Sequence, residues 1–183
     1  MASSATEVTR PLRRVEYDKL VALGVFENER VELLEGELVA MSPIGAPHNF
    51  SVQALNELLV LALHGRAWVR PQMSLAAHEL SEPEPDLAIV PRADYHLEQP
   101  GQALTIIEVA ESSLAYDRGR KLRMYASCGV KEYWVVNIPE RCVEVYGDPQ
   151  PNFYARRDRY EPGQSIRLAS FSDVLLNVSD FLK

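Results

Sequence analysis

The chain has 183 residues, enough for one domain to bury its own core without disulfides or structural metal. Apolar residues make up 46% and charged residues 25%, a soluble globular composition rather than a disordered or membrane one. The net charge of −7 counts against a broad basic footprint for nucleic acid. Basic residues do cluster locally, at Arg10, Arg13 and Arg14, at Arg118, Arg120, Lys121 and Arg123, and at Arg156, Arg157 and Arg159. No apolar run approaches bilayer-spanning length, and the opening MASSATEVTR holds no apolar stretch of a secretory signal. Cys128 and Cys142 stand in no ligand or disulfide pattern, so a cytoplasmic protein without membrane contact or structural zinc is expected.

In chain order, helical spacing predicts a first helix over residues 15–23, stopped by Gly24. Two β-prone runs within residues 30–41 flank Glu35-Gly36, a tight N-terminal hairpin. Residues 42–47 read as a loop, and residues 48–64 carry one broad apolar helical face that ends at Gly65. A strand is expected over residues 68–77. Residues 86–90 and 104–110 then form two nearly continuous apolar strands with the look of central, doubly covered ones. A helix over residues 115–127 stops at Gly129. Residues 132–138 and 142–146 make a hairpin across Pro139-Glu140, and shorter strands near residues 153–157 and 165–168 complete a mixed sheet. There are no repeats. The expectation is one α/β domain over residues 1–183, its core at about 30–147, with a C-terminal β extension.

Two carboxylates stand out by position. Asp86 opens one apolar strand directly after Pro85, and Glu108 lies inside the next between Ile106-Ile107 and Val109. A carboxylate at a central-strand position is expensive to desolvate unless its charge is compensated, and a bound cation is one common compensation. Adjacent strands would bring both within reach of one oxygen-seeking ion, and Mg²⁺ takes one or two carboxylates while keeping several waters. Lys121 lies thirteen residues beyond Glu108 on the following helix. From there an ammonium could reach back to offset charge on a reacting phosphate; position alone equally allows a solvated surface lysine.

Taken together, "EPDLAIV", "LTIIEVAESS" and "YDRGRKLRMYASCGVKEYWVV" resemble the bacterial putative restriction endonuclease family of the PD-(D/E)XK nuclease superfamily. The early block "VELLEGELVAMSPIGAPHN" resembles the same family, and the likeness spans roughly residues 31–146. It implies a restriction-endonuclease-like core, a central mixed sheet flanked by helices, with a Mg²⁺-dependent phosphodiesterase site that Mn²⁺ could also fill. By that likeness Asp86 and Glu108 are metal ligands, Lys121 is the catalytic lysine and Glu32 an additional acidic residue. The Val109 carbonyl is expected to share the ion. The superfamily places its lysine two residues beyond the glutamate, and here that position is Ala110; the resemblance to this family implies a lysine from the following helix instead, which fits Lys121.

Other residues carry two readings each. His48 could sit beside the metal or contact a phosphate, or could simply cap and pack its helix start. Gln72 could hydrogen-bond near the site. Tyr125, four residues after Lys121, could position substrate, although a tyrosine at a core edge is the plainer reading. Glu32 without the resemblance is an exposed hairpin residue, Tyr133-Trp134 is core, and Asp117 is a first-turn charge favoured by the helix dipole. The expected function is an endonuclease acting on nucleic acid, DNA before RNA, and a homodimer if both strands are cut. Its rivals are a non-catalytic binding or oligomerisation module on the same fold, and a metal-free buried network around Asp86 and Glu108.

Overall fold

The computed structural model describes residues 10–41 and 44–183. The first nine residues of the N-terminal stretch read above, and Ser42-Pro43 of the expected loop, lie outside that range. Helix α1 (Arg14–Ala22) buries Tyr17, whose hydroxyl donates to the Val31 carbonyl at 2.9 Å. That bond ties α1 to the hairpin of β1 (Val31–Leu34) and β2 (Glu37–Ala40). Glu35 and Gly36 both take positive φ, 51° and 84°, the combination that lets a two-residue turn follow the strand twist. A side chain at Gly36 would also strike Pro11, because a Cβ there falls 2.3 Å from the Pro11 Cβ. The hairpin docks on the chain before the central strands through reciprocal backbone bonds between Leu33 and Glu82.

A six-stranded sheet follows in the order β3 (Ala67–Pro71), β4 (Leu87–Pro91), β5 (Thr105–Ala110), β6 (Glu132–Asn137), β7 (Cys142–Gln150), β8 (Phe153–Tyr160). Neighbours run antiparallel except β5 and β6, which are parallel and therefore need a crossover. The crossover is α3 (Leu114–Tyr116), a π-helical turn (Asp117–Lys121) and α4 (Leu122–Ser127). Helix α2 (Ala46–Ala62) supplies Leu55 and Leu59 to one sheet face, against Ile107, Val109, Trp134 and Val136. The crossover covers the opposite face, where Met124 and Tyr125 meet Ile106, Ala110, Tyr133 and Val135. The strict alternation along β5 therefore places Glu108 on the crossover face, between Ile106 and Ala110.

The mixed sheet, its helical layers, the N-terminal hairpin and the C-terminal β extension all match the expected class. Three local readings are corrected. The strand expected over residues 68–77 ends at Pro71, because Gln72 takes φ of 47° and turns the chain. Strand β8 runs to Tyr160 rather than 157. Strand β9 (Ser165–Leu168) does not complete the main sheet: it pairs with an unforeseen β10 (Phe171–Asn177), ahead of α5 (Val178–Phe181). A register shift between Phe171 and Leu175 breaks the alternation in β10, which removes the pattern that announces a strand.

Leu59 is fully buried between α2 and the sheet. Leu59→Ala should cost about 2–5 kcal/mol through lost burial and the cavity left behind. Urea unfolding checks it: the midpoint falls while the slope stays as in the parent.

Candidate active site

Extending the β4–β5 register by one step past the Leu87–Ile107 pair sets Asp86 opposite Glu108, both on the crossover face. The Asp86 amide lies 3.4 Å from Glu108 Oε2, and the Val109 amide donates to Asp86 Oδ2 at 2.8 Å. Two carboxylates from neighbouring strands are thus fixed side by side through each other's backbone. His48, in the first turns of α2, places Nε2 3.0 Å from Asp86 Oδ2. The turn at Gln72 brings its side-chain amide to 3.5 Å from Asp86 Oδ1, while its backbone amide donates to the Asp86 carbonyl.

Lys121 closes the π-turn and points back over β5. Its Nζ lies 3.0 Å from Glu108 Oε1 and 3.3 Å from Glu32 Oε1, which β1 supplies from the hairpin. Glu32 Oε2 in turn accepts from the Glu84 amide at 3.2 Å. Tyr125 Oη donates to Glu108 Oε1 at 2.8 Å. Glu32, Glu108 and Lys121 keep only 3%, 4% and 6% of their surface exposed, so a buried ammonium sits between two buried carboxylates. Such a group is tolerable only when every charge is compensated and hydrogen-bonded.

Burial pushes the Glu108 carboxyl up to about 8; Lys121 opposes that rise, and Asp86, Asp117 and Glu32 add to it. For Lys121 burial acts to lower the value, but Glu108, Glu32 and Asp117 outweigh it and hold the ammonium above the usual lysine range. Asp117 is raised by burial as well, with Lys121 and the Ser113 hydroxyl pulling it back. All these groups line one cleft of about 330 Å³, walled by β2, the start of α2 and the segment from Glu111 to Tyr116. Its acidic lining comprises Glu32, Glu84, Asp86, Glu108, Glu111 and Asp117, against the single ammonium of Lys121.

The family model described as "Uma2: Putative restriction endonuclease" matches residues 15–179. The chain belongs to the Uma2 family. Among solved structures, it resembles a crystal structure described as a putative nuclease belonging to DUF820, from Anabaena variabilis ATCC 29413. The two are 15% identical with a TM-score of 0.71, and the match covers 93% of this chain and 97% of that one. It also matches the type IIG restriction endonuclease BpuSI at 20% identity and a TM-score of 0.42, over 78% of this chain and 16% of that enzyme. No curated protein matches the chain.

In this Uma2 chain, Asp86, Glu108, Lys121, Glu32 and His48 line one cleft, and Gln72 and Tyr125 contact Asp86 and Glu108 from outside its lining. Three plain readings give way. Lys121 is not a solvated surface residue, and Glu32 is not an exposed hairpin residue like Glu35 and Glu37. Tyr125 is fully buried against Glu108 rather than at a core edge. Asp117 does stand in a first helical turn, and it is also buried in the cleft. The sequence reading missed Glu84 and Glu111. Glu84 sits in a Pro-flanked segment that reads as a turn, and only its alternation with Glu82 and Asp86 could have pointed to it.

Between about 4.5, where an unfolded chain releases the Glu108 proton, and about 8 in the folded state, the folded protein binds more protons than the unfolded one. Stability of the metal-free protein should therefore fall as pH rises through that window. Thermal unfolding at a series of pH values checks it, and Glu108→Gln should flatten the dependence.

Proposed function

We propose that this Uma2 protein is a Mg²⁺-dependent endonuclease that hydrolyses phosphodiester bonds of nucleic acid, with DNA as its substrate. The observation that carries the reading is the buried Lys121 ammonium beside a pair of opposed strand carboxylates, Asp86 and Glu108, at the floor of an acidic cleft. The family description and the restriction-endonuclease-like fold support DNA as the target.

The donor set suits a hard cation. Among the described residues no group of three or more His, Cys, Asp or Glu side chains gathers tightly enough to hold a metal alone. Mg²⁺ requires no such group, because it is commonly held by one or two carboxylates and completes its shell with water. Asp86 and Glu108 Oε2, with the Val109 carbonyl, are the oxygen donors we assign to it. Six cleft carboxylates facing one lysine leave an excess of negative charge that a divalent cation would offset. When bound, Mg²⁺ supplies Lewis acidity toward a phosphate oxygen and an acidified water.

This chain's own residues do the rest. Glu108 Oε1 and Glu32 Oε1 hold the Lys121 ammonium protonated and aimed at the cleft floor, where it offsets charge gathering on a phosphate under attack. Val109 and His48 fix the Asp86 carboxylate, so its orientation is set before substrate arrives. Cutting both strands of a duplex from a single-site protein would take two copies, which makes a homodimer part of the proposal. Unpaired Cys128 and Cys142 suit the reducing cytoplasm as its compartment. No helix among the described residues is long and apolar enough to cross a membrane.

One observation favours the metal-free rival: each catalytic carboxylate already has partners within the protein. The two readings part on Asp86→Asn. The nuclease reading expects calorimetric Mn²⁺ binding and plasmid cleavage both to vanish. A metal-free network expects unchanged metal behaviour and only a lower unfolding temperature. Lys121→Met should lower kcat by roughly 10²-fold or more, as loss of a preorganised charge does, while leaving Mn²⁺ affinity close to the parent's.

A further inference from the structure

The helix that carries Lys121 is interrupted at the site, and the interruption has a geometric consequence. In an α-helix of 3.6 residues per turn, a step of four residues overshoots one full turn. A π-turn wraps more residues per turn, so the same step falls short of one. Asp117 to Lys121 crosses the π-turn, and Lys121 to Tyr125 crosses α-helix. The two drifts run in opposite senses and largely cancel. The ends of the run, Asp117 and Tyr125, therefore return toward one line, Lys121 keeps an ordinary helical step to Tyr125, and all three are buried. In an unbroken α-helix they would fan out by roughly 80° over those eight residues.

The turn is held at both ends. The Leu122 amide reaches back five residues to the Asp117 carbonyl, and Tyr133 Oη on β6 donates to that same carbonyl at 3.1 Å. The Ser113 hydroxyl donates to the Asp117 carboxylate. Tyr125 is fixed laterally as well: its ring packs on Tyr133 at 5.1 Å between centroids, and Tyr133 stacks on Tyr146 and Tyr154. Its hydroxyl therefore has little freedom, unlike the long stem of Lys121.

We propose that Tyr125 is a positioning residue for Glu108. Tyr125 stands one ordinary helical step after Lys121, and the two donors together tether Oε1 and leave Oε2 turned toward Asp86. The bond lengths fit this division: Oε1 takes the short contacts, 2.8 Å from Tyr125 and 3.0 Å from Lys121, and Oε2 takes only the long 3.4 Å contact from the Asp86 amide. Oε2 thus keeps the capacity to bind a cation. The proposal rests on the Mg²⁺ nuclease reading.

Tyr125→Phe removes one hydroxyl and keeps the aromatic packing. Calorimetry with Mn²⁺ should show affinity weakened about 10-fold or more, as loss of an outer-shell partner typically does. On plasmid DNA kcat should fall by a similar factor while KM stays within about two-fold of the parent, a split that a general loss of packing would not produce. Tyr125→Met is the second variant should the first fail to fold: it also removes the hydroxyl while keeping apolar volume, so the same losses are expected. Tyr133→Phe is the control, since it removes a neighbouring buried hydroxyl but spares the Glu108 bond, so Mn²⁺ affinity should stay near the parent's. Parental Mn²⁺ affinity and kcat in a folded Tyr125→Phe or Tyr125→Met protein overturn the positioning role and leave the nuclease reading standing. A parent protein that binds no Mn²⁺ overturns the nuclease reading itself.

Discussion

The buried ammonium of Lys121 is the constraint around which the structure is arranged. Lys121 and its partners come from three distant parts of the chain: Glu32 from the hairpin, Glu108 from the second central strand, and Lys121 itself from the crossover. None of the three could be buried alone, since an isolated charge in a low-dielectric interior is strongly disfavoured. The hairpin must therefore dock where Glu32 meets the lysine, and the crossover must turn where Lys121 meets β5. The Tyr17 hydroxyl's bond to the Val31 carbonyl and the Leu33–Glu82 backbone bonds hold the hairpin in that place. Fold and site are specified by the same contacts, and loss of either carboxylate would disturb both.

The distribution of charge changes what the acidic balance means. As a bulk number, −7 argues against a nucleic-acid partner. In the folded protein six of the 26 acidic residues are gathered in the cleft, where under the proposed function they would draw a cation rather than a phosphate. The basic clusters are largely committed elsewhere. Arg118 and Arg157 converge on the buried Glu144, Arg120 pairs with Glu35 and Glu37, and Arg159 pairs with Glu140. A phosphodiester entering this cleft would meet net negative charge unless a divalent ion stood between, which ties nucleic-acid binding to metal loading at one place.

The central strands were legible because their physics is local. Residues 86–90 and 104–110 are short, apolar and β-branched, and a carboxylate at either stands out against that background. Lys121 was legible only through likeness to a family, since Ala110 fills the usual lysine position. Asp117 and Tyr125 stood within helical reach of Lys121 by their spacing of four, but their burial was not legible, because spacing along a helix does not say what covers it; nor was the π-turn between Asp117 and Lys121. No composition cue in Asp117-Arg-Gly-Arg-Lys121 announces that turn; its visible supports, Tyr133 and Ser113, lie outside it. Glu84 and Glu111 were missed because each lies in a segment whose path only the tertiary fold decides.

Ala110 and Lys121 belong to one arrangement. On the crossover face of β5 the residues are Ile106, Glu108 and Ala110; Ile106 and Ala110 share a buried cluster with Met124 and Tyr125 of α4, and Glu108 accepts from Tyr125. A long side chain at 110 would need room inside that closed cluster, and packed interiors resist added volume. With alanine there, the ammonium beside Glu108 comes from the crossover, from Lys121 at the end of the π-turn. One helical step on, Tyr125 reaches the same Oε1, so the crossover brings to Glu108 a rigid hydroxyl that a lysine on the strand would not bring.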